Sequence, residues 1–118
     1  MKIGPIRIGY VDVPICLEDL HEDACFGYFE AYPAPKIGLH LDMSPLYMAA
    51  TGLHEVLEAI SAIYGLDLVE GQIRTLETVL VEIVRSNPEQ IRQWVEVLTN
   101  EVLQDNGIGA TRSPPSEG

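Results

Sequence analysis

Residues 44–65 read SPLYMAATGLHEVLEAISAIYG and carry the start, the apolar stripe and the end of one amphipathic helix. Ser44 is a favourable N-cap, and Pro45 suits the first helical position because an N–H there would have no partner within the helix. Gly65 is the favoured residue type for a left-handed helix end. Apolar residues recur every three or four positions, which predicts one buried stripe. The stripe consists of Leu46, Ala50, Leu53, Leu57, Ile60 and Tyr64.

On the N-terminal side of this helix the sequence predicts strands. Residues 6–13 are β-rich, with Tyr10 on the apolar face, and Pro14 is expected to end the strand. Residues 25–32 and 36–42 flank a proline-containing loop, and their alternation predicts two antiparallel strands. We expect the second of them to be an edge strand that can bind an extended peptide by β-augmentation.

On the C-terminal side the sequence predicts two further helices, near 69–86 and 88–104. Asp67 followed by Glu70 resembles a capping box, and Asn87 precedes a proline as a cap would. The apolar face of the last helix comprises Ile91, Trp94, Val95, Leu98 and Val102. This face either packs within the chain or forms a homodimer, so the sequence leaves a monomer and a homodimer open.

Together these elements predict an α+β fold. We expect a small antiparallel or mixed sheet of about three strands packed on the three helices. Residues 1–106 are predicted to form a single domain, and residues 107–118, rich in glycine, serine and proline, a disordered tail.

Charge and composition narrow the classes of function. The net charge is −11 with only seven lysines and arginines, so no basic patch for direct nucleic-acid binding is expected. The sequence has no apolar run of about 18 residues and no secretory leader, so no membrane association is expected. Two cysteines without a leader predict a reducing, cytoplasmic location.

The segment His54-Glu55-Val56-Leu57-Glu58 combines metal-binding residue types at helical spacing. His54 and Glu58 are four residues apart and therefore share one face of the helix. Zinc peptidases use H-E-x-x-H, in which two imidazoles bind the metal and the glutamate activates water. An acidic, solvated helix face without metal explains the same residues. A weaker zinc candidate is the set Cys16, His21, Cys25 and His40.

The order and spacing of several short motifs resemble the small zincin-like metallopeptidase domains of phages and mobile elements. The resemblance covers roughly residues 25–105. The matching segments are GYFE at 27–30, KIGLH at 36–40, TGLHE at 51–55 and YGLDLVEGQI at 64–73.

By this resemblance, His54 would be the first metal ligand, Glu58 the second, Glu70 the third, and Glu55 the general base. The chain departs from the family at two positions. Glu58 stands where the full motif has histidine, and Glu70 stands where members with a glutamate at position 58 carry histidine. A shell of one imidazole and two carboxylates suits zinc less well than two imidazoles do, and it also suits manganese.

Two functions follow as expectations. The first is a zincin-like metal-binding protein, and if it is active, a metal-dependent peptide hydrolase. The second is a non-catalytic, acidic, phage-type protein that inhibits or sequesters a host protein with a basic surface. Either would act on a peptide or protein in the cytoplasm of a bacterium or a phage-infected cell.

Overall fold

The structure is a computed structural model that describes residues 2–23 and 25–100. The elements, in chain order, are β1 (Lys2–Ile8), β2 (Val11–Glu18), a 3-10 turn (His21–Asp23), β3 (Gly27–Glu30), β4 (Lys36–His40), α1 (Pro45–Tyr64), α2 (Glu70–Ser86) and α3 (Pro88–Thr99). The α+β prediction is confirmed, with a four-stranded sheet in place of about three strands.

The additional strand arises because residues 6–13 form a hairpin instead of one strand. Gly9 takes a left-handed conformation (φ 61°) in the turn between β1 and β2, which leaves Tyr10 93% exposed. Pro14 does not end a strand but lies inside β2. The β1–β2 register shifts opposite Pro14, and pairing of β2 with β4 begins only at Ile15. The proline therefore sits where no ladder hydrogen bond is required of it.

The sheet is mixed, with strand order β1-β2-β4-β3. β3 and β4 form the predicted antiparallel hairpin, whereas β2 and β4 are parallel. β4 is therefore an interior strand, and the prediction that residues 36–42 form an edge is wrong. The second half of β2 (15–18) pairs with the side of β4 that was expected to be free. The free edge beside α1 belongs to β3.

A single helix, α1, covers one face of the sheet. The core consists of Ile8, Val13, Ile37, Leu39 and Ala59. Met48, Val56 and Ile63 of α1 pack against it. The predicted stripe is therefore wrong at its two ends, because Leu46 and Tyr64 are 53% and 57% exposed. This helix is apolar on more than one side, so the three-to-four spacing alone does not select the side that meets the sheet.

Gly27 allows the edge strand β3 to lie close to α1. A Cβ atom at this position would lie only 2.8 Å from Cγ2 of Thr51 on α1 and 3.1 Å from Cδ2 of Leu39. The first distance is shorter than real Cβ atoms make and the second is unusually tight, so a larger residue would require Thr51 or β3 to shift. The glycine thus sets the spacing between the edge strand and the helix turn that precedes His54.

The ends of α1 follow the prediction, and the start of α2 does not. The Ser44 hydroxyl accepts a hydrogen bond from the Tyr47 N–H, and Gly65 closes the helix in the left-handed conformation. Asp67 is not the cap of α2, because it has a positive φ of 56° and lies in the connecting loop. Instead, the Gln72 side chain accepts a hydrogen bond from the backbone N–H of Val69, the residue before α2.

The last helix begins at Pro88 as predicted, but it lacks the predicted cap hydrogen bond and ends earlier than residue 104. The Asn87 side chain donates to the carbonyl of Ile83 at the end of α2, and it makes no cap hydrogen bond to α3. α3 ends at Thr99, since Asn100 has extended backbone. Val102 and the predicted tail at 107–118 lie outside the described residues.

The chain divides into two compact units, Met1–Val81 and Glu82–Gly118. The first contains the sheet, α1 and the candidate site. The second contains α3, whose Trp94, Val95, Val97 and Leu98 are more than half exposed. Among the described residues, no helix combines the length and apolar character that crossing a bilayer requires.

Candidate metal centre

The predicted site residues lie on two helices that face one open cavity of about 370 Å³. α1 contributes His54, Glu55 and Glu58, and the first two turns of α2 contribute Glu70 and Glu77. The α1 residues share one side of their helix because of the spacings of one and four. Glu70 and Glu77 are seven residues apart, about two turns, and so project on the same side of α2.

His54 is the centre of the cluster. Its side chain is 14% exposed, and its Nε2 lies 3.2 Å from Oε2 of Glu58 and 3.4 Å from Oε2 of Glu70. The structure therefore brings together the three residues predicted as metal ligands. The other ring nitrogen, Nδ1, lies 2.9 Å from Oε1 of Glu77, a residue that the sequence interpretation did not single out.

Glu55, the predicted general base, is buried beside these groups. The residue is only 5% exposed, and its Oε1 is fully buried without a hydrogen-bond partner. Burial, followed by the nearby negative charge of Glu58, raises the pKa of Glu55 to about 7. A buried carboxylate oxygen without a partner is costly and uncommon in folded proteins, so this atom is a feature that a ligand would explain.

The carboxylates also act on His54. Burial on its own lowers the pKa of this imidazole. The hydrogen bond to Glu77 and the charges of Glu55, Glu70 and Glu58 oppose that effect and raise the pKa above its usual value overall. The cluster therefore attracts a positive charge at the position of the His54 ring, whether a proton or a cation supplies it.

Glu70 is the most exposed of the three predicted ligands. Its side chain is 53% exposed, and its Oε2 also lies 3.2 Å from Nε of Arg74 in the next turn of α2. Arg74 lines the same cavity and offsets part of its negative charge. Ligation by Glu70 would therefore compete with a surface ion pair, which is worth only about 0–1 kcal/mol.

Three residues on α1 satisfy the distance requirement for holding an ion. His54, Glu55 and Glu58 each offer one ligand atom, and these atoms lie within 4.8 Å of one another. Glu70 lies outside this group of three, and its Oε2 approaches it only through the 3.4 Å contact with His54 Nε2. The donor set therefore contains one nitrogen and several carboxylate oxygens, which suits zinc, manganese and other divalent cations.

The alternative zinc set is not gathered among the described side chains. No other group of three or more histidines, cysteines and acids there comes close enough to hold an ion. Nδ1 of His40 accepts a hydrogen bond from the Leu20 N–H, and Nδ1 of His21 lies 2.7 Å from Asp19. Cys16 and Cys25 are free thiols.

A serine that the sequence interpretation missed anchors the loop that leads to Glu70. The Ser61 hydroxyl accepts a hydrogen bond from the Leu68 N–H, and the Ser61 carbonyl accepts one from the Leu66 N–H. These bonds fold the loop between α1 and α2 back onto α1, so that the first turn of α2 meets His54. No local signal in the sequence marks Ser61, whereas the spacing of seven from Glu70 could have identified Glu77.

The other end of the cavity is aromatic. Phe26, just before β3, and Tyr47, in the first turn of α1, pack edge to face with ring centroids 5.4 Å apart. Both line the cavity and are about half exposed, with Ala50 and Thr51 between them and His54 along α1. The cavity thus combines a carboxylate-rich end with an apolar end that can contact a side chain.

Comparisons of this chain with protein-family models, with curated proteins and with solved structures gave no match. The interpretation of the site therefore depends on its own geometry.

Proposed function

We propose that this protein is a zincin-like metal-binding protein that hydrolyses peptides. The observation that carries the proposal is the convergence of Glu58 and Glu70 on Nε2 of His54, beside the buried and unpartnered Oε1 of Glu55. An acidic cluster alone does not make a site. The unpartnered buried oxygen is a second, independent feature, because it belongs to a residue that lines the cavity and it lacks the hydrogen-bond donor that a buried carboxylate oxygen normally has.

The residues present fit a divalent cation. His54, Glu58 and Glu70 would hold it, and the negative charge around them would be offset by it. When bound, the cation would supply Lewis acidity toward water and a substrate carbonyl. Because two of the three ligands are carboxylates, we expect weaker zinc binding and weaker activation than in a site with two imidazoles.

Glu55 would act as the proton acceptor for the attacking water. A general base works best when its pKa lies near the working pH, and the pKa of about 7 for Glu55 meets that condition. Phe26 and Tyr47 would contact an apolar side chain of the peptide at the other end of the cavity. Arg74, whose side chain is 71% exposed, would neutralise charge at the cavity rim.

Titration calorimetry with zinc and with manganese tests the site. We expect about one equivalent bound by the wild-type protein and none by His54→Ala. Glu55→Gln should keep the metal and lose hydrolysis of a peptide mixture by about 10²–10⁴-fold, the usual effect of removing a general base. Glu82→Gln is the matched control, because it removes an exposed carboxylate of α2 that does not line the cavity.

The outcomes separate the parts of the proposal. A wild-type protein that binds neither ion refutes the metal site. A Glu55→Gln variant that cleaves peptides as fast as the wild type refutes the role of Glu55. Bound metal without cleavage of any peptide would leave a metal-binding protein and refute the hydrolase.

A second candidate function is supported by the charge of −11. An acidic protein of this size can bind and inhibit a partner with a basic surface, and such a complex weakens as salt screens the charges. Complex formation with a basic host protein that is salt-sensitive and unchanged by His54→Ala would favour this function. Binding that survives high salt and is lost in His54→Ala would count against it.

A further inference from the structure

We propose that Glu77 is a positioning residue that holds the His54 ring so that Nε2 faces Glu58 and Glu70. The inference rests on the proposed function, in which His54 is a metal ligand. It assigns a role to a residue of α2 that lies outside the matching segments of the resemblance and outside the predicted ligand set.

The two ring nitrogens of His54 have different partners. Nδ1 lies 2.9 Å from Oε1 of Glu77, a shorter distance than either contact of Nε2. An ionised carboxylate can only accept a hydrogen bond, so Nδ1 must be the donor and carry the proton. Nε2 also lies beside two carboxylates and carries a proton when the ring is charged, so a cation at Nε2 would replace that proton while Nδ1 keeps its own.

The same geometry argues against Glu77 as a further ligand. Nδ1 and Nε2 point away from each other across the imidazole ring, so a carboxylate bonded to Nδ1 lies on the opposite side from a cation at Nε2. Metal-ligating histidines commonly donate their other N–H to a carboxylate, which fixes the ring and raises its basicity. Glu77 meets that description, since its side chain is only 25% exposed and is aimed at Nδ1.

Glu70 and Glu77 project on the same side of α2, but Arg74 gives their carboxylates different contacts. Nε of Arg74 lies 3.2 Å from Oε2 of Glu70 and holds that carboxylate toward the cavity rim. Glu77, one turn beyond Arg74, is more buried than Glu70 and contacts His54 through its own oxygen. The helix thus presents an exposed carboxylate to Nε2 and a mostly buried one to Nδ1.

Proton NMR of the metal-free protein tests the hydrogen bond directly. We expect the Nδ1–H proton of His54 to give a downfield signal protected from exchange with water in the wild type. Glu77→Gln should keep a protected signal, because the amide oxygen can still accept from Nδ1. Glu77→Ala should lose the signal, and Glu82→Gln should leave it unchanged. A protected signal in Glu77→Ala would overturn the proposal.

Zinc titration of the same proteins tests the consequence. We expect zinc affinity to fall about 10–100-fold in Glu77→Ala and by clearly less in Glu77→Gln, the range seen when such carboxylates are removed. Equal losses in the two variants would identify Glu77 as a ligand and overturn the positioning role. An unchanged affinity in Glu77→Ala would also overturn it.

The two measurements distinguish this inference from the proposed function. A wild-type protein that binds no zinc refutes the metal site, while the Nδ1–H signal still decides whether Glu77 fixes the ring. Glu77→Gln keeps the size of the side chain and is therefore expected to fold. If Glu77→Ala fails to fold, the comparison of Glu77→Gln with the wild type still tests the proposal.

Discussion

Glu55 and Glu58 show how the surroundings of a residue decide its chemistry. Both are glutamates on the same helix, three positions apart. Glu58 reaches Nε2 of His54, whereas Glu55 is buried with an unpartnered oxygen. The same carboxylic acid is therefore suited to ligation at one position and to proton transfer at the other.

The raised pKa of Glu55 predicts how stability depends on pH. Between its ordinary value of 4.5 and about 7, the folded state binds more protons than the unfolded state, so stability falls as pH rises. The full shift corresponds to a loss of about 3 kcal/mol. His54 adds to this trend, because stability gained from its raised pKa is lost as pH rises through and above its ordinary 6.5.

Urea unfolding of metal-free protein across this pH range measures the effect. Glu55→Gln, which cannot ionise, should flatten the decline between about pH 5 and 7 and should be more stable than the wild type at the upper end. Glu82→Gln should retain the full decline. If the stability of Glu55→Gln falls with pH as steeply as that of the wild type, a group other than Glu55 causes the pH dependence.

At the scale of elements, the loop between α1 and α2 determines which residues meet. Gly65 ends α1, and the Ser61 hydroxyl and carbonyl bind the N–H groups of Leu68 and Leu66. The chain thereby reverses within a few residues and delivers Glu70 to His54. The proposed site depends on this connection as much as on the residues proposed as ligands.

We expect Ser61→Ala to destabilise the protein by about 1–2 kcal/mol, because it leaves the N–H of Leu68 without its acceptor. Zinc affinity should fall as well, since Glu70 would lose its fixed position. Thermal melts and zinc titration measure the two effects. Thr75→Ala is the control, because its hydroxyl makes an exposed hydrogen bond within α2 and its loss should change stability by less than about 0.5 kcal/mol. A Ser61→Ala variant with unchanged zinc affinity would show that the loop does not position Glu70.

At the scale of the whole molecule, charge and exposed apolar surface act in opposite directions. Each copy carries a net charge of −11, which opposes association of two copies. Trp94 and Leu98 of α3 are 53% and 58% exposed and would gain from burial against a second copy. The balance between the two effects therefore depends on salt.

We expect self-association to strengthen as salt rises, because salt screens the repulsion between exposed charges and leaves apolar burial in place. Sedimentation equilibrium at low and at high salt measures this change. The double variant Trp94→Ala and Leu98→Ala should remain monomeric in both. A wild-type protein that stays monomeric at high salt would exclude α3 as a dimer interface.

The sequence by itself determined the features that depend on near neighbours in the chain. Ser44 and Gly65 delimit α1 correctly, because caps act within one turn. The β3–β4 hairpin was predicted from alternation around a short loop, and His54, Glu55 and Glu58 were placed on one side of α1 by helical spacing alone.

Features that depend on residues far apart in the sequence were decided only by the tertiary structure. Pro14 lies within β2 because the bulge of β1 and the late start of β4 pairing relieve it of hydrogen bonds. β4 is interior because β2, which precedes β3 in the chain, pairs with its other side. The burial of Glu55 and the contact of Glu77 with His54 likewise require different elements to pack together. The periodicity of one helix shows which residues share a face, but it does not show which element packs against that face.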